Sequence, residues 1–105
     1  MRISSAVLLV ALPALVVADL HRTFVCVVRA SRNVVRYHEA ATTAACNAYR
    51  NRNTGNSQWD KCPDCVLRDD QGTVKFCASD RWHLGGDEVY HYCRKFGGTD
   101  SIAWN

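Results

Sequence analysis

Residues 62–77, CPDCVLRDDQGTVKFC, hold three of the six cysteines and two short β-type runs around a turn. Val66-Leu67 precede Asp69-Asp70-Gln71-Gly72 and Val74-Lys75-Phe76 follow. This predicts a hairpin with a three-residue loop and Gly72 in the left-handed position. That register sets Cys65 opposite Cys77, a spacing at which a cross-strand disulfide is the expected pairing. Cys62 and Cys65 are expected to take different partners, because a ring of four residues would restrain the unfolded chain little. Cys26, Cys46 and Cys93 each fall in a different predicted element, so bridges among the six would tie the whole chain together.

Outward from the hairpin, Thr23-Phe24-Val25-Cys26-Val27-Val28 is dense in β-branched and aromatic residues and reads as a central strand. Two readings follow it. In one, Asn33 caps a helix that begins at Val34; in the other, Val34 to Tyr37 is a second strand and the helix begins near His38. The first puts Val34, His38, Ala41, Ala45 and Ala48 along one helical face with Cys46 and Tyr49 beside it, and both keep Glu39 to Tyr49 helical. Asn51 to Ser57 is a polar loop, with Trp59 after it as a plug over the core edge. Ser79 to Gly86 forms a second loop. A helix then starts at Asp87-Glu88, buries Val89, Tyr92, Cys93 and Phe96, and stops at Gly97-Gly98. Ser101 to Trp104 closes the chain as a strand with Ile102 and Trp104 on one face. The expected class is α+β, a small disulfide-stapled sandwich with the strand and helix order of a ferredoxin-like split βαβ unit. The alternative is a ribonuclease-like arrangement, one helix on an antiparallel sheet.

Residues 1–18 read as a secretion signal: Arg2, then the apolar run Ala6 to Val17, then Val16-Val17-Ala18 before a cut that makes Asp19 the first mature residue. The run is too short to span a bilayer, which needs roughly 20 apolar residues. Residues 19–105 form one domain of 87 residues (105 minus 18), near the size at which a hydrophobic core alone stops sufficing. An even cysteine count in an exported chain of this size predicts three disulfides at Cys26, Cys46, Cys62, Cys65, Cys77 and Cys93, with no free thiol. Without Arg2 the 13 basic residues become 12 against 10 acidic ones. A charge near +2 is too small to point to nucleic acid or to attraction by anionic membranes.

Two sets of residues have the types that chemistry uses. Cys62-x-x-Cys65 with Cys77 and Cys93 offers four thiols at a spacing compatible with zinc, but export favours structural bridges over metal or redox use. His38, Glu39, His83, Glu88 and His91, with arginines around them, are the residue types of a ribonuclease, yet no spacing requires them to converge. The expectation is therefore no enzyme, no cofactor and no metal. Aromatic and arginine side chains are better pointers, since they anchor interfaces. Arg81-Trp82-His83, in a glycine-bounded loop, is the expected contact site.

The signal, the even cysteine set, Phe24-Val25-Cys26, the Thr43-Ala44-Ala45-Cys46-Asn47-Ala48-Tyr49 helix and Tyr92-Cys93 before Gly97-Gly98 resemble small secreted cysteine-rich effectors of plant-associated fungi. Some of these are similar to killer toxins with an α/β sandwich, others to inactive ribonucleases. The resemblance implies a monomeric, non-enzymatic virulence protein that binds a host protein, outside the host cell or after translocation into it. A secreted toxin or antimicrobial protein, and an inhibitor of a host hydrolase, are the other classes that share this format.

Overall fold

The computed structural model describes residues 20–72 and 74–105, so the expected secretion signal and its cut lie outside the described residues. The elements run β1 (Leu20–His21), β2 (Thr23–Ser31), β3 (Val34–Tyr37), α1 (Glu39–Arg50), a 3₁₀ turn (Gln58–Asp60), β4 (Val66–Arg68), β5 (Phe76–Ala78), β6 (Leu84–Gly85), α2 (Gly86–Lys95) and β7 (Asp100–Trp104). The second reading of residues 34–37 is the one found. Val34-Val35-Arg36-Tyr37 folds back on β2 through a turn at Arg32-Asn33, as β-branched residues favour. His38 then caps α1, its Nδ1 accepting the Ala41 N–H at 3.0 Å.

The nine-residue β2 is the centre of the main sheet. β7 pairs along one side of it, Thr23 opposite Trp104 and Val27 opposite Asp100. On the other side β3 pairs with its second half and β5 with Thr23 and Phe24, and β4 lies beyond β5; every pairing is antiparallel. A second, two-residue ladder joins β1 to β6. The protein is thus α+β, small and cross-linked, as expected. The six-element order read from the sequence is embedded in a longer one, because β1, β3 and β6 are additional. Among the described residues two helices, not the single one of the ribonuclease-like alternative, accompany the sheet.

Strand alternation sorts the core into two layers. Phe24 and Cys26 face the helices and pack with Ala41, Ala45, Cys46, Tyr49, Leu84, Val89 and Cys93. Val25 and Val27 point the opposite way and pack with Phe76 and Ala78 beneath Tyr37 and Trp104. Both helices carry their charges with the dipole: Glu39 in the first turn of α1, Asp87 and Glu88 in the first turn of α2, Arg94 and Lys95 in its last. The expected stop at Gly97-Gly98 is present. Gly97 has φ +112°, and a Cβ on Gly98 would stand 3.0 Å from the Cys93 carbonyl oxygen and 3.1 Å from that of Val27. Only glycine lets the chain pass there.

Three disulfides form and no described cysteine is free: Cys26–Cys93, Cys46–Cys77 and Cys62–Cys65. Their pairing corrects two expectations. The hairpin exists, but Cys77 lies opposite Leu67, and Arg68 opposite Phe76, so the connection is longer than three residues. Cys65 therefore precedes the ladder instead of facing Cys77 across it. Cys77 shares the face of Phe24's neighbours that looks toward α1, where Cys46 meets it. Cys62 and Cys65 do not take different partners either. Cys65 N–H donates to the Cys62 carbonyl at 3.1 Å, a tight turn that leaves their Cα atoms 5.3 Å apart, well placed for a bridge. Local geometry outweighs the small entropic return of so short a ring.

Candidate partner-contact loop

The Ser79 to His83 segment, between β5 and β6, is built from its backbone outward. Ser79 is buried and its N–H donates to the Arg22 carbonyl at 2.8 Å. Asp64, held inside the Cys62–Cys65 turn, accepts from Ser79 Oγ at 2.7 Å and from the Arg81 N–H at 3.0 Å. Ser79 Oγ in turn accepts the His83 N–H at 3.1 Å. From the other flank, Gln58 Nε2 donates to the Arg81 carbonyl at 2.6 Å, and His83 Nδ1–H donates to the Gln58 carbonyl at 2.9 Å. The short-range bridge that restrains the unfolded chain least thus fixes the carboxylate that positions this loop.

Beneath it lies Tyr49, fully buried. Its single hydroxyl proton is shared between the Trp59 carbonyl at 2.8 Å and the His83 carbonyl at 3.0 Å, and its oxygen accepts the Gly85 N–H at 3.1 Å. Burial raises the Tyr49 pKa well above the ordinary phenol range, with the Gly85 hydrogen bond opposing it in part. Trp59, expected as a plug, sits in the 3₁₀ turn and is half-buried at this junction.

On this platform Trp82 adopts φ +63°, the one non-glycine residue with positive φ among those described, and its ring is 40% exposed. A bulky residue in the left-handed region costs on the order of 1–2 kcal/mol. The Arg22 guanidinium lies 5.8 Å from the ring centroid and also pairs with Asp80 at 3.2 Å, while Arg68 reaches Asp80 at 3.6 Å. Arg81 is exposed and His83 half-exposed. The three predicted contact residues are thus neighbours on this loop, with Arg81 and Trp82 exposed and His83 turned into the loop's own hydrogen bonds.

The other candidate sets are dispersed. Cys93 is bonded to Cys26, which removes it from the four-thiol set with Cys62, Cys65 and Cys77. His38 caps α1, His83 is tied to Gln58, and Glu88 and His91 lie on α2. Among the described residues no hydrogen bond or ion pair links His38, Glu39, His83, Glu88 and His91 to one another. A feature not read from the sequence is the sheet face turned away from the helices. Cross-strand pairing places exposed Val35, Val66 and Ile102 on it, opposite Arg29, Ala78 and Val25.

No helix among the described residues is long and apolar enough to cross a membrane. No curated protein and no solved structure matches the chain. A family match, however, covers residues 19–101, most of the length: the chain belongs to the family described as biotrophy-associated secreted protein 4.

Proposed function

We propose that this protein is a non-enzymatic secreted effector that binds a host protein through Arg81, Trp82 and His83. The observation that carries the reading is Trp82, a large aromatic held partly exposed in a backbone conformation that costs stability. Such strain concentrates at sites of function, and a preformed aromatic beside arginines is the composition of an interface hot spot. The rest of the loop is hydrogen-bonded to the scaffold on both flanks, so little ordering entropy remains to be lost on association. Membership in a secreted, biotrophy-associated family supports export and action at a host interface. The partner is a single macromolecule met outside the host cell or after translocation into it, and the protein acts as a monomer.

Rigidity of the loop gives one further reading its footing, inhibition of a host hydrolase, because inhibitors also present stiffened loops. One experiment separates these outcomes. Oxidised protein and its Trp82→Ala and Arg81→Ala variants are immobilised and exposed to host extracellular and total extracts, and the captured proteins are identified and tested for hydrolase activity. The proposal expects one protein retained by the wild type and lost from Trp82→Ala, with the variant's disulfide map and melting temperature intact. Equal retention by all three would remove this loop from the function.

A further inference from the structure

Two of the three disulfides lie against each other. Cys46 of α1, Cys65 at the end of the Cys-Pro-Asp-Cys turn and Cys77 of β5 place their sulfur atoms all within 4.8 Å of one another, and all three residues are buried. Cys62 is bonded to Cys65 and is buried as well. Cys65 thus stands beside the Cys46–Cys77 bridge and carries its own partner Cys62 with it, which makes a different set from the Cys62, Cys65, Cys77 and Cys93 suggested by spacing alone. We propose that, once these two bridges are reduced, Cys46, Cys62, Cys65 and Cys77 bind one zinc ion.

The geometry favours a metal over four free thiols. In a tetrahedral thiolate site with Zn–S near 2.3 Å, the sulfurs are about 3.8 Å apart: the bonded Cys46 and Cys77 sulfurs, 2.09 Å apart, would separate on reduction, and the Cys65 sulfur already lies within 4.8 Å of both. The turn that carries the other pair has the two-residue spacing of structural zinc sites, with its Cys65 N–H to Cys62 carbonyl hydrogen bond already made. The Asp64 carboxylate stands 3.7 Å from the Cys62 sulfur. Its negative charge disfavours a lone thiolate there, and a bound cation offsets that repulsion.

A low-molecular-weight thiol pool of the glutathione class supplies two electrons and two protons to each bridge, four of each in total, and is itself oxidised to disulfide. Zinc then displaces the four thiol protons and forms four Zn–S bonds. Outside the cell the bridges hold these segments; in a reducing compartment the metal would hold α1, the Asp64 turn and β5 in the same places. The inference is independent of the contact-loop reading, although it would preserve the support beneath that loop.

The test uses the protein as recovered from the medium of a secreting host, reduced anaerobically with a phosphine and titrated with Co²⁺ and then Zn²⁺. The expected result is one metal per chain, a thiolate-to-cobalt charge-transfer band with a tetrahedral ligand-field spectrum, and displacement of cobalt by zinc. Cys65→Ser should weaken cobalt binding on the order of 100-fold. A Cys26→Ser/Cys93→Ser double variant should bind like the wild type, since in the reduced state it lacks only thiols outside the cluster. Absence of stoichiometric metal, equal binding by Cys65→Ser, or loss of binding in the double variant would each overturn the proposal.

Discussion

Tyr49→Phe removes one oxygen from the centre of the molecule and leaves the ring in place. The aromatic body still fills its site against Tyr92, 5.5 Å away between ring centroids, so no cavity larger than a hydroxyl opens. The loss is in hydrogen bonding. The Gly85 N–H is left without its acceptor, and the carbonyls of Trp59 and His83 lose their shared donor. An unsatisfied buried donor costs about 1–3 kcal/mol, and the two carbonyls, each weakly served by half a proton, add less. A destabilisation of about 2–3 kcal/mol is expected, a substantial share of the 5–15 kcal/mol typical of a domain. With a slope near 1 kcal/mol/M, urea unfolding with the disulfides intact should show a midpoint about 2–3 M lower. The pH dependence carries a second signature. Because the folded-state pKa of Tyr49 is raised, its contribution is complete below the unfolded phenol's pKa near 10 and is lost as pH rises above it toward the folded value. Wild-type stability should therefore decline above about pH 10, and more shallowly in Tyr49→Phe, where Tyr37, also raised by burial, still contributes. A variant within 0.5 kcal/mol of wild type (about the spread of neutral surface changes) would refute the assignment of Tyr49 as the pin beneath the loop.

Three other outcomes follow from the same framework. Trp82→Gly relieves the left-handed backbone but loses the contact with Arg22, so thermal unfolding should find stability within about 1 kcal/mol of wild type while partner capture is lost. Replacing a cysteine pair by serine should rank by the span closed: Cys26–Cys93, 67 residues apart, should cost about 4 kcal/mol and Cys62–Cys65, 3 apart, about 2, read from denaturant midpoints. Gly98→Ala forces a Cβ against the Cys93 and Val27 carbonyls and should cost about 1–3 kcal/mol, as overpacking does, seen as a lower melting temperature.

The sequence carried the periodic parts of the fold and missed what depends on contact. α1, α2 and β7 follow from apolar spacing, charged helix ends and the paired glycines, all local signals. The β2–β3 hairpin was one of two readings because Val34-Val35 suits a strand and Asn33 can also cap a helix; antiparallel pairing with β2 decides it. Disulfide pairing was not legible. Cys77 sits in a strand whose register shifted by two residues from the expected one, and no local rule reports that α1 would bring Cys46 to it. The contact loop was located from its glycines, tryptophan and arginine, whereas its supports, Asp64, Gln58 and Tyr49, are distant in sequence. Asp64 carried a weak hint, an acidic residue inside a Cys-x-x-Cys turn, but its partners Ser79 and Arg81 appear only in the folded chain.

The most direct test of the central claim is site-specific photocrosslinking. A photoreactive amino acid is placed at Arg81, leaving Trp82 and its backbone unchanged, and in a second protein at Val34, 48% exposed in the β2–β3 hairpin. After irradiation in host extract, one dominant covalent adduct is expected from position 81 and none of that mass from position 34. Adduct at position 34 alone, or at both positions equally, would contradict the claim.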